Sequence, residues 1–269
     1  MSEREAYPAG VPCWVETLQP DPRAALDFYG PLFEWEFVGP GAMPGDLAGE
    51  YFVARLKGRD VAGIGSLPDS GGAGALWNTY IRVDSADEVT ERARAAGASV
   101  LAGPLDALPA GRLAVLVDPV GAGISVWEAR AREGAQLVNE PCTWAMSSLH
   151  CTDVEAAKAF YGSVFGWQPE PFGPSGAQMT LWRLPGYVGE EAQAIPSDVV
   201  AVLAPTDPAV PTHWNVNLRV VDADATAEQA AALGGQVLMP PFDTPGFRNA
   251  VVADPQGAVI SVSELTASP

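Results

Sequence analysis

The chain repeats itself, and no other feature of the sequence restricts its fold as much. The segment Asp21-Pro-Arg-Ala-Ala-Leu-Asp-Phe-Tyr-Gly-Pro-Leu-Phe-Glu-Trp35 returns 132 residues later as Asp153-Val-Glu-Ala-Ala-Lys-Ala-Phe-Tyr-Gly-Ser-Val-Phe-Gly-Trp167. Trp77-Asn78 with Arg82-Val83 recurs as Trp214-Asn215 with Arg219-Val220, and Asp118-Pro-Val-Gly-Ala122 recurs as Asp254-Pro-Gln-Gly-Ala258. Two homologous halves follow, over residues 8–130 and 139–267. The charged stretch from Glu128 to Glu140 between them reads as an exposed linker.

Each half divides again. The first has an extended stretch at Val11–Thr17, then Asp21 as N-cap with Pro22 at the first helical position, and a helix to about Phe33. Short strands follow near Trp35–Val38, Tyr51–Leu56 and Val61–Ser66. A second unit opens with Trp77–Val83 and the capping box Ser85-Ala-Asp-Glu88. Its helix ends near Gly97, and strands Ser99–Ala102, Arg112–Val117 and Ile124–Glu128 complete it. The second half repeats the plan with Trp144–Ser148, a helix from Asp153, and strands near Trp167, Gln178–Leu184 and Val199–Leu203. Trp214–Val221, a helix from Asp224 and the stretch Val251–Glu264 follow. The pattern of strand, helix and three strands, four times over, predicts an α+β fold. The abundance of turn formers, 28 Gly and 25 Pro, agrees with many short elements.

The run Asp-x-x-x-Ala-x-x-Phe-Tyr, the Trp that follows it and the Asp-Pro-x-Gly turn, each present twice, resemble the vicinal oxygen chelate superfamily: glyoxalases, bleomycin-resistance proteins and extradiol dioxygenases. The resemblance covers nearly the whole chain. It implies two tandem domains, each a pair of βαβββ modules whose sheet curls into a cup that holds a divalent metal and a substrate in the family's enzymes. Whether modules pair within a half or across halves stays open.

The resemblance also locates the metal ligands. One lies on the first strand, where this chain has Trp14 and Met146. Another opens the fifth strand, at Asn78 and Asn215. A third lies seven residues after the Asp of Asp-Pro-x-Gly, at Ser125 and Ser261. Indole, thioether, amide and hydroxyl groups are poor partners for a hard divalent ion. The strands that would supply a fourth ligand contain no His, Asp or Glu, and the two histidines, His150 and His213, have no partner at ligand spacing. No metal or other cofactor is expected on these grounds.

Period-two alternation gives the side chains that share a face with those positions. In the first half they are Trp14, Glu16, Asn78, Tyr80, Arg82, Ser125 and Trp127. In the second they are Met146, Ser148, Asn215, Asn217, Ser261 and Ser263, with Trp144 and Trp182 as further candidates. Aromatic plates mixed with amides and hydroxyls suit a flat, partly polar organic ligand. Filling of the core is the plainer role for the tryptophans. Glu16 is the candidate catalytic residue: it can face a ligand amine, act as a base if burial raises its pKa, or form an ion pair with Arg55 or Arg82. Ser125 and Ser261 have no His in reach, and Cys151 beside His150 reads as a packed thiol.

Thirty-three acidic against 15 basic residues give a net charge of −18, which disfavours nucleic acid and anionic membrane surfaces and favours cationic small molecules. No apolar run approaches the roughly 18 residues of a membrane span, and no secretory leader opens the chain, so a cytoplasmic protein is expected. The expected partner is a small hydrophobic aromatic ligand; a biosynthetic partner enzyme and a monomeric or homodimeric state stay open. By similarity to the bleomycin-resistance branch, the leading expectation is metal-independent binding of a natural product in self-resistance or biosynthetic tailoring. A metal-free lyase, isomerase or cyclase using Glu16 is the main alternative, and a metal-dependent glyoxalase or dioxygenase the lesser one.

Overall fold

The computed structural model of the 269-residue chain describes residues 3–45, 47–68, 74–173, 179–189 and 198–266. Among them the strand-helix-three-strand unit occurs four times. The first half contains β1 (Pro12–Gln19), α1 (Pro22–Phe33), β2 (Glu36–Ala42), β3 (Glu50–Leu56) and β4 (Arg59–Ser66). It continues with β5 (Leu76–Arg82), α2 (Ala86–Ala95), β6 (Ser99–Ala107), β7 (Gly111–Val117) and β8 (Gly123–Ala129). The second half contains β9 (Trp144–Cys151), α3 (Val154–Phe165), β10 (Gln168–Phe172), β11 (Met179–Arg183) and β12 (Val199–Pro205). Then come β13 (His213–Val220), α4 (Ala223–Ala232), β14 (Gln236–Thr244), β15 (Phe247–Ala253) and β16 (Val259–Leu265).

Modules pair within halves. Each half forms one eight-stranded sheet, in the order β2-β3-β4-β1-β5-β8-β7-β6 and its counterpart β10-β11-β12-β9-β13-β16-β15-β14. The central strands β1 and β5 run antiparallel to one another and parallel to β4 and β8, respectively. The Gly45 amide, just past β2, donates to the Asp106 carbonyl near the end of β6. That bond closes the first sheet across its open side, so the sheet forms a cup. The two convex faces meet at their centres, where Thr79 and Ser147 share a hydroxyl hydrogen bond of 2.8 Å.

Helix starts follow from local chemistry. Asp21 accepts the amides of Arg23 and Ala24, and Pro22 follows it, where a missing amide costs nothing. Asp153 accepts the amide of Ala156, and α3 ends in Gly166 at φ +75°. Phe28, Tyr29, Leu32 and Phe33 lie on the buried face of α1, and Phe160, Tyr161, Val164 and Phe165 on that of α3.

Three details depart from the sequence reading. The α4 cap is Asp222 rather than Asp224, because its carboxylate reaches the Ala225 amide. The stretch Val251–Glu264 is two strands around the Asp254 turn, and the remaining strand of that unit, which the sequence reading did not place, is β14. The linker is largely covered: Ala135, Leu137 and Val138 are buried, and the amides of Ala135 and Gln136 donate to the carbonyls of Cys13 and Asp60. Its apolar residues pack where its charged residues alone suggested exposure. Of the expected boundaries, Gln178 and Ala267 lie outside the described residues.

Candidate functional site

β1 and β5 form the floor of the first cup. Their antiparallel register sets Glu16 opposite Asn78 and Trp14 opposite Tyr80, all on the concave face. β8, parallel to β5, sets Ser125 beside Tyr80. Alternation therefore brings together six of the seven first-half residues marked in the sequence: Trp14, Glu16, Asn78, Tyr80, Ser125 and Trp127.

Glu16 is buried at the centre of this group. Tyr80 donates its hydroxyl to Oε1 at 2.5 Å and Tyr51 donates to Oε2 at 2.8 Å. Trp14 Nε1 donates to the Tyr51 hydroxyl oxygen at 3.1 Å, and Asn78 Nδ2 to Ser125 Oγ at 2.7 Å. Burial pushes the Glu16 pKa above its ordinary value, against the opposing pull of Tyr80, Tyr51 and Asn78. Burial, and then the adjacent carboxylate, push both phenols well above theirs. No ion pair forms with Arg55 or Arg82, which pair with Asp60 and Asp84 instead. Glu16 is a carboxyl held by hydroxyl groups at the bottom of an aromatic cup.

Tyr51 was not among the residues marked in the sequence. Its ring crosses β4 at Gly63 and Gly65, where a Cβ would stand 2.0 Å from the Tyr51 hydroxyl and 3.0 Å from the ring, respectively. Two glycines at alternate positions of one strand were the available signal, since each leaves a groove that another side chain can cross. Arg132, in the linker, was also missed. Its guanidinium lies 5.3 Å from the Trp14 ring centroid and donates to Asp60 Oδ2 at 2.7 Å.

Above this floor is a cavity of about 670 Å³. Its walls include Trp14, Tyr51, Tyr80 and Trp127, and its roof is the run Gly39–Gly45 facing Ala107 and Leu108. Trp127 meets Tyr80 edge to face, with centroids 6.3 Å apart, and donates Nε1 to the Arg132 carbonyl. The volume lies in the range of ligand pockets.

The other marked residues stand elsewhere or form a different surface. Arg82 does not line the cavity. Trp182 is fully buried on the helix side of its sheet, 5.0 Å from the Tyr161 ring and stacked on Trp214. Trp144 pairs with Leu218 after a register shift and donates to Ser147, which turns it toward the core. In the second half Met146 packs with Leu181, Val199 and Val202. Ser261 donates to Asn215 and Ser263 to Asn217, so these polar groups partly satisfy one another. The cavity that Trp144 and Met146 border holds about 50 Å³.

Ser148 and His150 are within hydrogen-bond distance, at 3.0 Å, and His150 stacks on His213. Burial, together with the neighbouring imidazole, lowers the His150 pKa to about 4. So weak a base activates a serine hydroxyl poorly. Cys151 is buried and its pKa is raised to about 11, which describes a packed thiol.

The first cup does not offer a divalent ion a ligand set. Trp14, Asn78 and Ser125 supply no anionic or imidazole donor, and both Glu16 oxygens already accept phenolic hydroxyls. Among the described residues, Asp222, Asp224 and Glu264 are the group whose carboxylates converge. They lie at the start of α4 and the end of β16, where Asp222 caps the helix, Asp224 pairs with Arg248 and Glu264 accepts the Ala223 amide.

A family profile described as a glyoxalase-like domain matches residues 146–263. CFP32 of Mycobacterium tuberculosis, provisionally named a glyoxylase, is 38% identical over 265 residues, covering 97% of each chain. The chain belongs to the glyoxalase-like family of the vicinal oxygen chelate superfamily. This glyoxalase-like protein is also 34% identical over 275 residues to the anthracycline biosynthesis protein DnrV of Streptomyces peucetius, covering 96% of this chain and 94% of DnrV. Its fold matches that of the Mn(II)-bound glyoxalase from Novosphingobium aromaticivorans, with a TM-score of 0.64 at 17% identity over 97% of this chain and 84% of that one. No helix among the described residues is long and apolar enough to cross a membrane.

Proposed function

We propose that this glyoxalase-like protein binds a planar, largely apolar aromatic compound in its first cup without a metal ion, in natural-product biosynthesis or self-resistance. One observation carries the reading: a cavity of about 670 Å³ walled by Trp14, Tyr51, Tyr80 and Trp127, above a floor whose polar groups are already paired. A flat guest gains from stacking and apolar burial there, while a small hydrophilic substrate would leave the aromatic walls wet. The likeness to DnrV, named for anthracycline biosynthesis, supports a guest of polycyclic aromatic type. The donor chemistry of the cup supports metal-free binding, and the charge of −18 goes against nucleic acid as a partner.

A second reading has its own support. The raised pKa of Glu16 and the two phenols bonded to it form a group able to accept and return a proton. A metal-free lyase, isomerase or cyclase would use Glu16 in that role.

Titration with a planar anthraquinone, followed by quenching of tryptophan fluorescence and by mass spectrometry, separates the two. Saturable quenching with the ligand recovered unchanged is the expected result. A new product that vanishes with Glu16→Gln favours catalysis, and absence of saturable quenching rejects both.

A further inference from the structure

Behind Arg132 lies a second, polar hollow of about 520 Å³. Ala110, Arg132 and Gly134 line both this hollow and the aromatic cup. Arg132 forms part of the wall between them: its guanidinium covers Trp14 on one side and is anchored to buried Asp60 on the other. Of the other two shared residues, Ala110 carries only a methyl group, while Gly134 is packed against the Cys13 carbonyl and the Tyr7 ring, so an arm leaving the cup would pass at Arg132 and Ala110.

The charges in the hollow are unevenly matched. Arg59 pairs with Glu3 at 3.1 Å and Arg132 with Asp60 at 2.7 Å. Glu5 and Glu133 line the same space and enter no ion pair among the described residues. Arg4, which also lines the hollow, has a buried Nε without a hydrogen-bond partner. Asp60 also holds Arg55, so what is left unpaired in the hollow, among the described residues, is Glu5 and Glu133 against Arg4, within a chain of net charge −18 that concentrates cations around it.

We infer that cup and hollow form one bipartite site for an aromatic compound with an amine-bearing arm. The ring system occupies the cup, and the arm passes Arg132 toward Glu5 and Glu133. The inference rests on the aromatic-binding reading of the cup and adds to it the chemistry of the ligand's polar end. The hollow alone offers too little apolar surface to hold such a molecule, so the ring supplies most of the affinity and the arm supplies selectivity.

Two probes test it: an anthraquinone carrying an aminoethoxyethyl arm, and the same compound ending in a hydroxyl group. The amine is expected to bind about tenfold more tightly at low salt, the advantage shrinking as ionic strength rises. The double variant Glu5→Gln with Glu133→Gln is expected to bind both probes alike, with the affinity of the hydroxyl probe unchanged. Equal binding by the natural chain overturns the bipartite site and leaves the aromatic cup standing. A preference for the amine that survives in the double variant also overturns it. Failure of both probes to quench tryptophan fluorescence overturns the cup reading as well.

Discussion

The Tyr161 hydroxyl donates to Asp118 Oδ2 at 2.7 Å, across the boundary between the two halves. Tyr29 makes the same bond to Asp254, at 2.8 Å, in the opposite sense. The other oxygen of each aspartate holds its own turn: Asp118 Oδ1 accepts the amides of Val120 and Ala122, and Asp254 Oδ1 those of Gln256 and Ala258. Trp214 and Trp77 donate to the two tyrosine oxygens. The repeated Phe-Tyr and Asp-Pro-x-Gly motifs thus meet crosswise and lock the halves together, away from the cups. Tyr161→Phe removes one donor from a buried carboxylate and leaves the Trp214 indole without its acceptor, so it should cost about 1–3 kcal/mol. Urea unfolding measures this, and an unchanged midpoint would contradict the lock.

Trp182 and Trp14 separate core from site. Trp182→Ala opens the fully buried aromatic cluster around Tyr161 and should cost about 3–5 kcal/mol, yet leave anthraquinone affinity within a factor of about two while the protein stays folded. Trp14→Ala removes a cup wall and the donor to Tyr51, so binding should weaken by at least about tenfold. Fluorescence titration alongside thermal unfolding checks both; the reverse ranking would move the site.

Gly63→Ala tests the placement of Tyr51. The new methyl would occupy the hydroxyl's position, forcing Tyr51 off Glu16 at a cost of about 1–3 kcal/mol. Ligand affinity should fall with it. Tyr51→Phe in the same background should add little further loss, because the bond to Glu16 is already gone; additive losses would mean that Gly63 acts elsewhere.

The burial of Glu16 sets the sign expected for its contribution to the pH dependence of stability. Its folded-state pKa lies above the ordinary 4.5, so the folded chain holds this proton more firmly than the unfolded one. Its contribution is full below the unfolded value and is lost as pH rises through the folded value. The unfolding free energy of the natural chain minus that of Glu16→Gln should therefore fall as pH climbs from about 4.5, then level off. Denaturant titrations across that range read the slope, and a difference that rises with pH would show that the tyrosines favour the carboxylate more than burial penalises it.

That Trp14, Glu16, Asn78, Tyr80, Ser125 and Trp127 share one concave face was legible because strand alternation is a local property. Once Trp14 and Glu16 share a strand face, their partners on β5 and β8 follow from the repeat. Trp144 and Trp182 escaped the same logic, since a register shift turns Trp144 and only the packed aromatic cluster shows which face of β11 is inward. Arg132 and Tyr51 escaped it because each reaches the cup from another segment, over distances that alternation does not encode.

The repeat and its caps determined from the sequence by itself that this chain would form four βαβββ units, because turns, helix starts and apolar periodicity act over a few residues. Only the tertiary structure decided that modules pair within halves, that the motif tyrosines and aspartates fasten one half to the other, and that the first cup has room for a guest. Those outcomes depend on side chains far apart in sequence competing for the same space and the same hydrogen-bond partners. A list of residues along one chain does not contain that competition.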